Sequence, residues 1–198
     1  LYHPAYKRLK NYARKYGPIK SVLSQAGNWG PFRVDTPVLW DWGAHDIAMC
    51  LDLFGVFPET MDAEIIERRL VKEGYGETIS ICLKFRGGRV ADIRISNLQK
   101  SRERAFEVKF TNATAIYDGV GPSPLSLETQ PYNNNGARSK VTDVKVKNDL
   151  PLDVIITEFC NNIQSNESKS ANLALGVNVV KVLDKLQNIL SDRGVGLE

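Results

Sequence analysis

The run Trp40-Asp41-Trp42-Gly43-Ala44-His45-Asp46 places a carboxylate and an imidazole four residues apart. On a helix that spacing puts both side chains on one face, a turn from each other. A carboxylate so placed holds an imidazole in one tautomer and stabilises it once protonated, which suits proton transfer with a substrate hydroxyl. Gly43 and Ala44 remove bulk between the two, so a ligand is expected to approach the helix at its first turn. The same residues fit a plainer arrangement, in which Asp41 is a helix N-cap and His45 a core histidine. A metal site needs a third ligand, and only Asp46 and Asp52 are near in sequence, so no metal is expected. The other histidine, His3, falls in a stretch expected to fray.

The elements that must carry these residues are legible from hydrophobic period. Pro4 to Tyr16 predicts one basic amphipathic helix, with Tyr6, Leu9, Ala13 and Tyr16 on one side and Gly17-Pro18 ending it. Ile19 to Trp29 predicts a strand, followed by a loop holding Gly30, Pro31 and Pro37. Asp41 to Phe54 is apolar nearly all round and predicts a largely buried helix that stops at Gly55. From Thr60 to about Lys147 the period becomes two. Ile79, Ile81, Leu83 and Phe85 share a face, then Ala91, Ile93 and Ile95 after a turn at Gly87-Gly88, then Phe106, Val108 and Phe110. Short turns between such strands predict an antiparallel meander covered on one side. Gly119 to Arg138 predicts a long loop, and two helices, Asp153 to Ile163 and Leu173 to Ser191, close the chain. The expected fold is α+β: an open, predominantly antiparallel sheet with helices packed on one face.

Bulk properties set outer limits. The 198 residues suit one large domain, and 42% apolar with 25% charged residues is ordinary for a globule. The net charge is +3, and Lys and Arg alternate with acids, so a nucleic-acid partner has little electrostatic support. Cys50, Cys82 and Cys160 lie far apart without a CxxC spacing, which predicts buried reduced thiols in a cytoplasmic protein. No apolar run approaches the roughly 20 residues that span a bilayer, so no membrane partner is expected. The chain starts at Leu1 and enters a helix almost at once, and Leu197-Glu198 resembles a cloning remnant; both suggest a piece of something longer.

Nearly the whole chain resembles the C-terminal domain of the glucose–fructose oxidoreductase and inositol dehydrogenase (Gfo/Idh/MocA) family. The resemblance rests on His3-Pro4-Ala5-Tyr6-Lys7-Arg8-Leu9-Lys10, Tyr16-Gly17-Pro18-Ile19 and the Asp41-x-x-x-His45-Asp46 signature, then Leu53-Phe54-Gly55 and the closing helix. It departs from the family at Pro18 and Lys20, which flank Ile19 where small residues or Gly are usual. The resemblance implies that His45 is general acid/base on a substrate hydroxyl, with Asp41 in support. Asn28, Trp29, Arg33 and Trp42 are candidate contacts to a sugar, sugar nucleotide or polyol. It also implies NAD or NADP as cofactor, bound mainly by a preceding Rossmann domain that residues 1–198 do not contain. A homodimer or tetramer through the sheet is expected, and by itself this domain should transfer no hydride. Gly119-Val120-Gly121-Pro122 lacks the dinucleotide fingerprint, so no cofactor is expected on this chain. The competing expectation is a non-catalytic assembly module that kept the sheet.

Overall fold

Period-two alternation in the middle of the chain becomes a single eight-stranded sheet. The computed structural model describes residues 1–72, 74–129, 140–147, 149–165 and 170–194. Its strands are β1 (Ile19–Trp29), β2 (Thr60–Val71), β3 (Gly74–Phe85), β4 (Arg89–Ser96), β5 (Leu98–Phe110), β6 (Ala113–Asp118), β7 (Leu125–Thr129) and β8 (Lys140–Asp143). They lie side by side in the order β2-β3-β4-β1-β5-β6-β7-β8. Every neighbouring pair is antiparallel except β1 and β4, which run parallel. The expected meander therefore needs one correction. β1 is inserted between β4 and β5, so these consecutive strands are not partners. Alternation reports which face a side chain takes, and is silent about which strand lies alongside.

One face of the sheet is dry. Val22, Ala26, Ile79, Ile81, Leu83, Phe85, Ala91, Ile93, Ile95, Phe106 and Val108 point into it and are nearly inaccessible. Helices α1 (Pro4–Asn11), α2 (Ala13–Tyr16), α3 (Ala44–Phe54), α4 (Pro151–Ser165) and α5 (Ser170–Gly194) complete the chain. Helix α3 lies against β1, α5 against β2 and α3, and α1 against β6 and β7. The stripe foreseen on the last helix is the one that packs: Leu183, Leu186 and Leu190 are buried, with Leu175 and Val179 half-buried beside them. The opposite sheet face presents Leu23, Gln25, Lys84, Asp92, Arg94 and Lys109 to solvent.

Three further expectations change. The first helix is broken at Tyr12 into α1 and α2, with Tyr12 and Tyr16 packed edge to face. The segment 119–138 is not wholly a loop, since Leu125–Thr129 pairs with β6; 130–139 lie outside the described residues. Of the three thiols only Cys50 is buried; Cys82 is half-buried on the open sheet face and Cys160 is exposed on α4. An apolar run predicts burial only where another element covers it, and nothing described covers α4 on its outer side. No described helix is long and apolar enough to cross a membrane.

Candidate active site

The chain enters α3 through one wide turn. Leu39–Gly43 forms a π-helical turn, and the Trp40 and Asp41 N–H groups both donate to the Pro37 carbonyl. Such turns re-aim the residues that follow and recur at functional sites. Gly43 is buried within it, and a β-carbon there would stand 3.3 Å from Ile95 Cδ1 and 3.4 Å from Leu39 Cδ1. Gly43 thus lets the turn lie close on the sheet; it does not face a ligand, contrary to expectation. Ala44 does face open space, because it lines the cavity described next. Asp41 makes no capping hydrogen bond, so the plain N-cap arrangement is not formed.

His45 occupies the first turn of α3 and is exposed. Its ring borders a cavity of about 490 Å³ whose walls include Ala48 and Met49 of α3, Tyr6 of α1, Arg104 of β5, Tyr117 of β6 and Ile155 of α4. His3 belongs to the same wall. Far from fraying, it caps α1, its Nδ1 accepting from the Ala5 N–H at 3.1 Å, and its ring packs 5.2 Å from that of Tyr117. Tyr6 is buried, and the single proton of its hydroxyl is shared between two acceptors, the Met49 carbonyl at 2.8 Å and Asp52 Oδ2 at 2.9 Å. Lys10 reaches the same Asp52 carboxylate at 2.7 Å. Part of the basic face of α1 is therefore engaged in an ion pair with α3.

The surroundings of His45 favour its neutral form. Partial desolvation pulls its pKa below the ordinary imidazole value, and the Arg104 guanidinium adds to this; Asp46 and Asp41 oppose and do not prevail. Asp46 is 1% exposed and accepts from Ser24 Oγ at 2.9 Å, while its Oδ2 has no partner. Burial pushes its carboxyl above the usual carboxylate range, against the pull of Arg104 and the Ser24 bond. Asp41 faces elsewhere. Its carboxylate lies 3.5 Å from Arg33 Nε, and no described hydrogen bond joins it to His45. The turn is π and not α at this point, so the one-face argument for an i, i+4 pair fails geometrically.

The remaining sequence candidates scatter around the same end of the sheet. Asn28 is half-buried at the end of β1. Trp29 is 52% exposed and packs edge to face on Phe32. Trp42 is half-buried against the core. Arg33 borders a different cavity, of about 510 Å³, shared with Arg68, Tyr75 and Gln187 on the far side of the π turn. None of these four, nor Asp41, lines the cavity at His45. Arg104, Tyr117, Tyr6 and His3 do, and sequence reasoning missed all four. Arg104 left one signal: it occupies the inward phase of β5, two residues before buried Phe106, where a hydrocarbon would fit the pattern.

In Gly119-Val120-Gly121-Pro122 the N–H groups of Val120 and Gly121 both donate to Asp118 Oδ1, at 2.9 and 2.8 Å, and are not available to a phosphate. Among the described residues no three His, Cys, Asp or Glu side chains are grouped to hold a metal.

An open sheet covered on one face, with a helix crossing it that carries a histidine in its first turn, is the architecture to be placed among known folds. A profile of the GFO/IDH/MocA C-terminal domain matches residues 13–116, and the chain belongs to that family. Among solved structures, a candidate oxidoreductase from Magnetospirillum magnetotacticum superposes with a TM-score of 0.82 at 32% identity, over 92% of this chain and 59% of that one. UDP-N-acetylglucosamine 3-dehydrogenase from Acidithiobacillus ferrooxidans matches at 0.77 and 18% identity, over 96% of this chain and 58% of its own. A 3-ketoreductase from Actinomadura kijaniata, in complex with NADP, matches at 0.73 and 14% identity over 96% and 58%. The chain spans about three fifths of the length of these structures. No curated protein matches it.

Proposed function

We propose that this chain is the substrate-binding and assembly domain of a nicotinamide-dependent oxidoreductase that acts on a hydroxyl-bearing carbon of a sugar, sugar nucleotide or polyol. The observation that carries this reading is His45 itself: an exposed imidazole, held toward its neutral form, on the wall of a cavity of about 490 Å³. That volume falls in the usual range of small-molecule sites. In oxidation the neutral ring accepts the proton of the substrate hydroxyl as the carbon–hydrogen bond gives up its electron pair; in reduction the imidazolium returns it. A nicotinamide cofactor supplies the hydride acceptor or donor for such chemistry, and its dinucleotide would be held by an upstream Rossmann domain of a longer chain. Asp41 supports the imidazolium through its field, without a hydrogen bond. Asn28, Trp29, Arg33 and Trp42 are then outer contacts, reached only by a substrate that extends past the π turn.

The test uses the full-length protein with NAD(P)H and a panel of sugars, sugar nucleotides and polyols. His45→Ala is expected to lower kcat/KM about 100- to 10,000-fold, the usual span for a general acid/base. Turnover at the normal rate in that variant would remove His45 from the chemistry. Absence of turnover on any panel member by the unaltered protein would instead favour the non-catalytic assembly module.

A further inference from the structure

Arg104 projects from β5 toward the helices, its register partner on β1 being buried Ala26, and it ends in the cavity beside His45. Arg33, which borders the other cavity beside the π turn, faces the Asp41 carboxylate, and Arg68 in that cavity is paired with Glu77. Arg104 has no ion pair among the described residues, and no Asp or Glu lines the cavity it enters. Asp46, whose carboxyl the Arg104 charge pulls down, is buried, outside the cavity lining, and tied to Ser24. A half-buried guanidinium without a counter-charge gives up part of its hydration for nothing in return. Its stem is nevertheless held in place. The Arg104 carbonyl accepts the Gly119 N–H at 2.8 Å, and the Arg104 stem lies close over Gly119, where a β-carbon would stand 3.1 Å from Arg104 Cδ.

We propose that Arg104 is the anion-binding group of this cleft, and that the hydroxyl substrate carries a carboxylate or phosphate which the guanidinium engages while His45 meets the hydroxyl. The proposal rests on the reading of the cleft given above and narrows its substrate class to acidic sugars. A guanidinium presents paired N–H donors that match both oxyanions, so a hexuronate and a sugar phosphate or nucleoside-diphosphate sugar share the chemistry. The stacked pair His3 and Tyr117 lines the same cavity as Ala44, Ala48 and His45, so ring and small apolar surface for a sugar lies beside the guanidinium.

The experiment has a kinetic and a binding arm on the full-length protein. Kinetically, a neutral hexose, the matched hexuronate, the hexose phosphate and the nucleoside-diphosphate hexose are compared in the unaltered protein, Arg104→Met and Arg104→Lys. At least one anionic member is expected to be preferred over the neutral hexose. Arg104→Met should raise its KM about 10- to 100-fold, the span for a lost hydrogen bond to a charged group, with kcat within about threefold; Arg104→Lys should recover part of the loss. Which anionic member responds tells carboxylate from phosphate. Calorimetric titration with the hexuronate and the hexose phosphate, without cofactor, forms the second arm. Binding that Arg104→Met abolishes and Arg104→Lys partly restores, without turnover of any sugar, keeps the anion site and overturns the oxidoreductase reading. Turnover of the neutral hexose with a KM as low as that of the anionic sugars, or a Met variant that shifts neither KM nor affinity for an anion, overturns the anion site.

Discussion

At the scale of single residues, the ionisation of His45 is the property on which the rest depends. Partial desolvation and Arg104 depress its pKa, while Asp46 and Asp41 pull it up and lose. Two consequences have a definite sign. The neutral base persists below the ordinary imidazole value of about 6.5, so the acid limb of kcat/KM for oxidation should fall at a pH under that value. Replacing Arg104 with Met removes a cation and should move that limb upward; a pH–rate profile of the two proteins measures the shift, and a downward shift would contradict it. The same depression couples to folding. The unfolded chain takes up the proton first, so the stability contributed by neutral His45 is present above about pH 6.5 and is lost as pH falls through the folded value. Denaturant melts across pH 5 to 8 should therefore show the parent losing stability relative to His45→Gln toward the acid end.

At the scale of elements, the site depends on how α1 is fastened to α3. Tyr6 makes that joint, spending its hydroxyl on the Met49 carbonyl and on Asp52, while Lys10 holds the other oxygen of Asp52. Burial and the adjacent carboxylate both push the Tyr6 hydroxyl's pKa up, so it stays a donor throughout the working range. Tyr6→Phe keeps the ring's packing on Phe106 and removes only the donor. We expect a loss of about 1–3 kcal/mol in stability by chemical denaturation, since a buried acceptor is left short of a partner. Because α1 carries His3 and part of the cavity wall, substrate affinity should fall as well. Unchanged stability would mean that Lys10 alone holds the joint.

At the scale of the molecule, the sheet has one covered and one open face, and the open face is the surface proposed for self-association. Leu23 lies on the central strand and is 47% exposed, flanked in register by Asp92 and Glu107. A specific dimer buries roughly 1,200–2,000 Å² in total. Sedimentation equilibrium should find a dimer or tetramer, and Leu23→Arg should shift it toward the monomer by placing a charge at the centre of the contact. An identical mass distribution for the variant would move assembly to another surface. Helix α4 is the second unpartnered feature, with Phe159 and Ile163 largely exposed, and nothing described says what meets it.

How much of this was legible without coordinates follows from what a linear pattern encodes. Alternation at Ile79 to Phe85 and at Phe106 to Phe110 sufficed for strands with one apolar side, and the end of β1 at Trp29 was found to the residue. The one-sided α+β architecture and the family signature around His45 were likewise present in the order of residue types. Three things were not. Nothing in Ile19–Trp29 says that this strand slips between β4 and β5, because pairing is settled by competition among all the strands. The π turn before α3 separates Asp41 from His45 and gives it to Arg33, although four residues promise a shared face. Arg104 reaches His45 across 59 positions of sequence, joined only by the packing of α3 on β1 and its neighbour β5. Local periodicity fixes which way a side chain points relative to its own backbone; which group it meets there depends on long-range packing.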